Sequence, residues 1–452
     1  MSEGIRQSGT LGQVIKKLLP QGKTTVFKAQ LRILPSVAFI SAFLNNTPVV
    51  VIFAPIIKHW AKSVNLPATK FLIPLSYVTI LGGICTLIGT STNLVVHGMI
   101  LEAGFEGFSM FELGKVGIFI AIAGIIYIFL FSKRLLPDAR PDTAVPDEEV
   151  EEGEKLHRVE AVLGARFPGI NKKLKDFNFQ RHYGAEVKEI KTRNGQRFVT
   201  NLDDVVLHEG DTLVVMADDT FIPTWGESSV FVLLTNGNEP DTSGKKKRWF
   251  ALLLLVLMIV GATVGELPVT KEMFPDIKLD MFFFVSITTI IMAWTNLFPA
   301  RKYTKYISWD ILITIACAFA ISKAMVNSGV ADSVAKFIIG LSDDYGPHVL
   351  LAMVFIITNL FTELITNNAA AALAFPLALS ISAQLGVSPT PFFVVICMAA
   401  SASFSTPIGY QTNLIVQGIG NYKFTDFVRI GLPLNIITFL ISIILIPLIW
   451  NF

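Results

Sequence analysis

Charge is scarce in this chain of 452 residues: Asp, Glu, Lys and Arg together make up 16%, well below the quarter or so of an ordinary soluble domain. Cysteine is scarcer still. Cys85, Cys317 and Cys397 each sit in apolar sequence without metal-like spacing, which excludes a disulfide framework or a zinc site. No signal peptide is expected, since the first residues are polar and basic with no compact apolar core after them. No Thr-Val-Gly-Tyr-Gly filter is present, which argues against a potassium channel. A phosphate loop, a nucleophile–base pair and a metal-ligand helix are all missing from the polar segments, so the chain is read as a non-enzyme. No nucleic-acid partner and no organic cofactor are expected.

What is plentiful is apolar sequence. Hydrophobic residues make 52% of the chain and mean hydropathy is +0.58. A helix needs about 20 apolar residues to cross a bilayer, and 112–132, 249–266, 279–296, 309–325 and 428–449 read as full spans. Residues 133–248 are densely charged instead. The expected organisation is a first membrane repeat at 1–133, an acidic linker at 134–156, a small α/β cytoplasmic domain at 157–226, a linker at 227–247 and a second membrane repeat at 248–452. Within the insert, 158–162 and 185–192 read as strands flanking a helix at 171–180. Asn194-Gly195 reads as a hairpin turn, and Gly210 as the turn into a strand at 211–216.

One passage occurs twice, about 320 residues apart. Asn45-Asn46-Thr47-Pro48 is followed by Gly89-Thr90-Ser91-Thr92-Asn93, and Thr366-Asn367-Asn368 by Gly409-Tyr410-Gln411-Thr412-Asn413. Each copy breaks apolar sequence with polar residues. A membrane core offers unpaired backbone groups no water, so such breaks persist only where they line a cavity or bind something. Residues 29–61 and 349–383 therefore read as two re-entrant hairpins, and 69–103 and 389–420 as two broken helices. Lys and Arg place the first hairpin and the insert on the cytoplasmic side and the second hairpin opposite. The fold class is an α-helical polytopic membrane protein of inverted-repeat design, multi-pass in the cell (inner or plasma) membrane, with a transport site at the repeat interface. Ser8-Gly9 matches Ser328-Gly329, yet the span 309–325 has no counterpart before Met1. An amino-terminally truncated first repeat is expected.

The tips offer oxygen ligands for a small cation, and the helix starts offer partial positive charge for an anion. Ser41 and Thr362 lie one turn before the tips and are placed to complete a cation shell. Asn45, Asn46, Thr47, Thr366, Asn367 and Asn368 form the tips, and Ser405 lies in the second unwound stretch. No arginine stands in a tip or a break, so an anionic substrate would rely on neutral donors and co-bound cations, which favours sodium coupling. Glu363 and Lys323 are the clearest intramembrane charges near the second hairpin; a proton relay there and a helix-end anchor with a snorkelling lysine are both open. His97 reads as a satisfied polar residue.

These residues resemble the divalent-anion/sodium symporter family, whose hairpin tips carry Ser-Asn-Thr; here the central Asn46 and Asn367 match and the flanking positions depart. The resemblance implies that Asn46 and Asn367 hold sodium and substrate together with Thr86, Gly89, Thr90 and Asn93, and with Thr406, Gly409, Thr412 and Asn413. It also implies a homodimer with an elevator-like carrier. The insert, with Leu174 to Ala185 and Gly210-Asp211-Thr212-Leu213, is similar to the carboxy-terminal lobe of the regulators of potassium conductance, which implies a small regulatory ligand there. Permeases joining these two parts look like sulfate carriers, so sulfate is the first substrate. A dicarboxylate/sodium symporter, a cation/proton antiporter and a transporter-like anion sensor are the alternatives.

Overall fold

The computed structural model describes residues 10–138, 156–164, 166–192, 196–218, 221–225, 230–235, 245–265, 268–273, 281–295, 309–340 and 346–452, with 279, 297 and 307. The match at Ser8-Gly9 and the turn Asn194-Gly195 lie outside the described residues. The first half runs α1 (Thr10–Leu18), α2 (Val26–Ser41), α3 (Asn46–Ser63), α4 (Leu72–Gly83), α5 (Ser91–Glu102) and α6 (Gly114–Leu135). The insert holds β1 (His157–Leu163), α7 (Phe179–Tyr183), β2 (Glu186–Lys191), β3 (Arg197–Phe198), β4 (Thr212–Ala217), α8 (Phe221–Trp225) and β5 (Phe231–Thr235). The second half runs α9 (Lys245–Gly265), α10 (Pro268–Met273), α11 (Met281–Trp294), α12 (Trp309–Asn327), α13 (Val330–Gly340), α14 (Gly346–Leu364), α15 (Asn367–Leu385), α16 (Thr390–Ser401), α17 (Gln411–Gly420) and α18 (Phe424–Ile449).

Apolar side chains point outward as well as inward. On α18, Leu432, Ile436, Leu440, Ile444 and Leu448 recur every fourth residue and are all exposed, so one face of the helix is a continuous apolar stripe. α6 repeats this with Ile118, Ile122, Ile126 and Leu130. Stripes of that size would aggregate in water and are stable against lipid. Among the described residues, four helices, α6, α14, α15 and α18, are long and apolar enough to cross a membrane. The chain is a multi-pass membrane protein.

At the centre, every residue of α4 is buried, and so is α16 from Pro391 to Ser401. Each is followed by an irregular stretch, 84–90 and 402–410, before α5 and α17 begin. The halves interlock: α3 packs on α17, and α15 packs on α5.

Several expectations change. In 349–383, expected as a hairpin rather than as full spans, α14 and α15 are 19 residues each, about 28 Å at 1.5 Å per residue and each long enough to cross a membrane. The span expected at 279–296 is helical over 14 residues, 281–294. Residues 312–327 and 330–340 bend by 71° at a short break, where Gly329 adopts φ +72°. Lys323 is exposed on α12 rather than buried.

The insert is an antiparallel sheet in the order β3-β2-β4-β1-β5 around its own core of Val159, Phe167, Phe179, Tyr183, Leu213 and Phe231. β5 pairs with β1, so the sheet continues to Thr235, past the expected limit at 226. The helix expected at 171–180 is replaced by a single turn at Leu174–Asp176 and then α7. Phe177 and Phe179 are both buried in the same core; residues two apart on one helix face nearly opposite ways, so the chain must break between them. Asn178 makes that break by capping α7 through its side chain to the Arg181 N–H (3.0 Å).

Candidate functional site

Ser41 ends α2 and Asn46 begins α3, so the chain turns over the four residues between them and the first tip runs on into Asn46 and Thr47. The Asn46 amide is buried. Its nitrogen faces the Thr79 carbonyl (2.9 Å), the Gly89 carbonyl (3.3 Å) and Ser41 Oγ (2.8 Å). Carbonyls can only accept, which orients the amide oxygen toward the Tyr410 hydroxyl at 2.6 Å. Gly83 makes the approach possible: a Cβ there would strike this amide. Thr86 in the break donates its hydroxyl to the Ala42 carbonyl and accepts from the Gly89 N–H (3.1 Å). Asn93 donates to the Thr86 carbonyl (2.9 Å).

The second tip repeats these bonds at residues 320 or 321 positions later. Thr362 donates to the Ala400 carbonyl (2.6 Å) and is hydrogen-bonded to the Asn367 amide (3.0 Å). Thr406 donates to the Glu363 carbonyl (3.0 Å) and accepts from the Gly409 N–H (3.3 Å). Asn413 donates to the Thr406 carbonyl (3.1 Å). Each break is thus a turn closed by its own threonine and asparagine, with every freed backbone group so used spared the several kcal/mol that an unpaired group costs in hydrocarbon.

The two constructions meet. Thr47 of the first tip donates to Gln411 at the start of α17 (3.2 Å); Ser91 and Thr92 at the start of α5 donate to Asn368 of the second tip (3.4 and 3.2 Å). Thr90 and Tyr410, equivalent positions of the two copies, are hydrogen-bonded to each other at 2.9 Å. The Tyr410 hydroxyl thus ties Asn46 of the first tip and Thr90 of the first break to the second copy. Asn46, Thr90, Asn93 and Asn413 are each at most 1% exposed, which makes this a closed polar cluster surrounded by apolar helices.

Of the residues singled out in the sequence, Ser41, Asn46, Thr47, Thr86, Gly89, Thr90 and Asn93 gather with Thr362, Asn367, Asn368, Thr406, Gly409 and Asn413. Asn45 caps α3 without a side-chain cap bond. Thr366 is exposed and spends its hydroxyl on the Ala369 N–H (3.4 Å) as the cap of α15. Thr412 is turned to α4, where it accepts from Ser76 (2.9 Å). Ser405 belongs to a neighbouring group: Glu363 Oε1 accepts from the Ser405 N–H (2.8 Å) and from Asn435 Nδ2 (2.7 Å). Glu363 Oε2 and Asn435 Oδ1 are both buried without a hydrogen-bond partner among the described residues, so this pocket presents two acceptors and no matching donor. His97 accepts from the Phe108 N–H (3.0 Å). Tyr410, Gln411 and Asn435 escape sequence reasoning, although the alignment of Tyr410 with Thr90 is a signal that would have found the first.

A protein-family model described as citrate transporter matches residues 1–383 and 277–452. The chain belongs to the citrate transporter family. An uncharacterized transporter of Synechocystis sp. is 30% identical to this permease over the whole chain and 87% of the relative. A putative sulfur deprivation response regulator of Chlamydomonas reinhardtii is 28% identical over 98% of this chain and 90% of its own length. A probable sodium/sulfate cotransporter 3 from the same alga is 33% identical over 62% of this chain and 31% of the relative. Relatives named as transporters and a polytopic apolar fold assign this permease to membrane transport rather than to enzyme catalysis.

Proposed function

We propose that this permease is a secondary active transporter that couples sodium to the uptake of a divalent anion, sulfate first. The observation that carries the reading is the meeting of the two copies at Tyr410, whose hydroxyl is bonded to Asn46 and to Thr90, inside a cluster made of oxygens and amides. Neither tip and neither break holds Lys or Arg, so an anion's charge is balanced there by cations it travels with. Ser41, Asn45, Asn46, Thr47, Thr86, Gly89, Thr90 and Asn93 serve one side of the site. Thr362, Asn367, Asn368, Thr406, Gly409 and Asn413 serve the other, with Tyr410 added between them, while Thr366, Ser405 and Thr412 spend their polar groups elsewhere. Sodium takes the tip oxygens. Citrate and other carboxylates, which the family's description brings into view, are the competing substrates.

The two copies are read as inverted repeats with re-entrant tips, supported by the repeated hydrogen bonds and the reciprocal packing of α3 on α17 and α15 on α5. The tips and broken helices form an elevator carrier within a homodimer, and the remaining long helices form its frame. The insert is a cytoplasmic domain similar to the conductance-regulator lobe, with a small ligand as its regulator. The test is radiolabelled sulfate uptake in proteoliposomes with and without a sodium gradient, with succinate and citrate as competitors. Sodium-stimulated uptake displaced by neither carboxylate is expected; uptake of no anion in sodium overturns the proposal.

A sensor of anion supply is the second reading, favoured by the similarity to the sulfur deprivation response regulator. It is distinguished by sulfate binding to purified protein without net uptake.

A further inference from the structure

The insert does not hang free of the membrane helices. Glu160 on β1 accepts from Lys58 Nζ on α3 through both oxygens, at 3.1 and 3.2 Å, and is backed by Lys191 from β2 at 3.4 Å. On the same side of the sheet, Gly210, in the turn before β4, lies against Leu414 of α17, and a Cβ on Gly418 would strike the Thr212 hydroxyl and touch Val162. Val162 is fully buried and belongs to the core of the membrane helices rather than to that of the insert. One rigid strand pair, β1 and β4, therefore grips α3 and α17 at once.

Those two helices are also joined at their other ends. α3 begins with Asn46 and Thr47, and α17 with Gln411 directly after Tyr410. Asn46 is bonded to Tyr410 and Thr47 to Gln411. Lys58 lies about 18 Å along α3 from Asn46, and Gly418 about 12 Å along α17 from Tyr410, at 1.5 Å per residue. A pair of helices held at both ends cannot part at one end without strain or release at the other.

We propose that the insert is a brake: by clamping α3 to α17 through Lys58–Glu160 and the Gly418–Thr212 contact, it holds Tyr410 against Asn46 and keeps the site closed. Anything that lifts the sheet from these helices frees the tip. The brake works by packing and charge. Lys58 and Glu160 keep 23% and 16% of their side-chain surface exposed, so the pair is accessible to displacement by salt or a charged ligand. Arg158 and Lys191 reinforce the carboxylate against burial, so acid in the physiological range does not release it.

The proposal rests on the reading of the Asn46–Tyr410 cluster as a transport site, but its first readout does not. Hydrogen exchange in the purified full-length protein is followed at residues 42–46 and 410–412, away from the Leu414 and Gly418 contacts with the insert. Lys58→Gln is expected to speed exchange there by about fivefold, Lys58→Glu, which opposes two carboxylates, by more, and Gly418→Ala to act likewise without touching a charge. Exchange in β4 of the insert stays unchanged, which separates release from unfolding. In proteoliposomes the same variants raise initial sulfate uptake, whereas a merely supportive contact would lower it. Unchanged exchange at 42–46 in all three variants, or uptake that falls with each, overturns the brake. Faster exchange in the variants of a protein that carries no sulfate would leave the brake standing and sink the substrate assignment.

Discussion

At the first tip the residue after Ser41 is Ala42; at the second, the residue after Thr362 is Glu363. Both offer the same backbone carbonyl to a threonine of the break, but only the second adds a carboxylate, buried beside Asn435. At the heart of the site the asymmetry is reversed in kind: the first half contributes the small Thr90 and the second the large Tyr410. The shared hydrogen bonds build two similar turns. The two exchanged side chains make them unequal, placing a carboxyl group on one side and bulk in the middle.

The sharpest way to break this comparison is to remove the element common to both halves. Asn46→Ala and Asn367→Ala each delete an amide that anchors its tip. With two or more hydrogen bonds lost at about 1–1.5 kcal/mol each, uptake is expected to fall on the order of a hundredfold while folded protein remains in the membrane. Unchanged uptake in both variants refutes the site. Next comes the charge present on one side only. Glu363→Gln keeps the acceptor for Ser405 N–H and removes the charge, and about a tenfold loss of sodium affinity is expected if the carboxylate balances a cation; an altered pH profile with sodium affinity intact would assign it to proton transfer instead.

Smaller effects sharpen the central pair. Tyr410→Phe removes one hydroxyl shared by Asn46 and Thr90 and is expected to weaken sulfate binding about fivefold, the worth of one neutral hydrogen bond. Tyr410→Thr makes the halves alike and opens space, so larger anions such as citrate should gain relative to sulfate in competition assays. The smallest effect concerns pH at the insert. Burial disfavours the Glu160 carboxylate, but Lys58, Lys191 and Arg158 outweigh it and bring its pKa from 4.5 down to about 2. A carboxyl lowered on folding contributes stability that is complete above the unfolded value and fades as pH falls toward the folded one. The Lys58–Glu160 contact should thus persist unchanged from pH 8 to 5 and weaken only between about 4.5 and 2, as followed by cross-linking of the insert to α3.

Much of the architecture was legible in the residues because a bilayer punishes unpaired backbone. Asn46, Asn367 and the breaks at Gly89 and Gly409 stand out against apolar sequence, and their spacing of about 320 residues marks a doubled unit without reference to any fold. Hydropathy located α6 and α18, whereas α14 and α15 are long enough to cross although the polar break between them reads as a hairpin tip; the density of charge located the insert. The helix expected at 171–180 failed for a local reason: both Phe177 and Phe179 are required by one core, a demand made by the folded sheet and not by propensity.

What the chain's order of residues determined by itself is where backbone must be broken in a hydrocarbon setting and which polar groups stand at each break, because that cost is paid locally. What only the tertiary structure decided is who meets whom. Thr90 finds Tyr410, Glu363 finds Asn435 and Lys58 finds Glu160 across tens to hundreds of residues, and such pairings depend on how whole helices pack, which no local pattern of residues specifies.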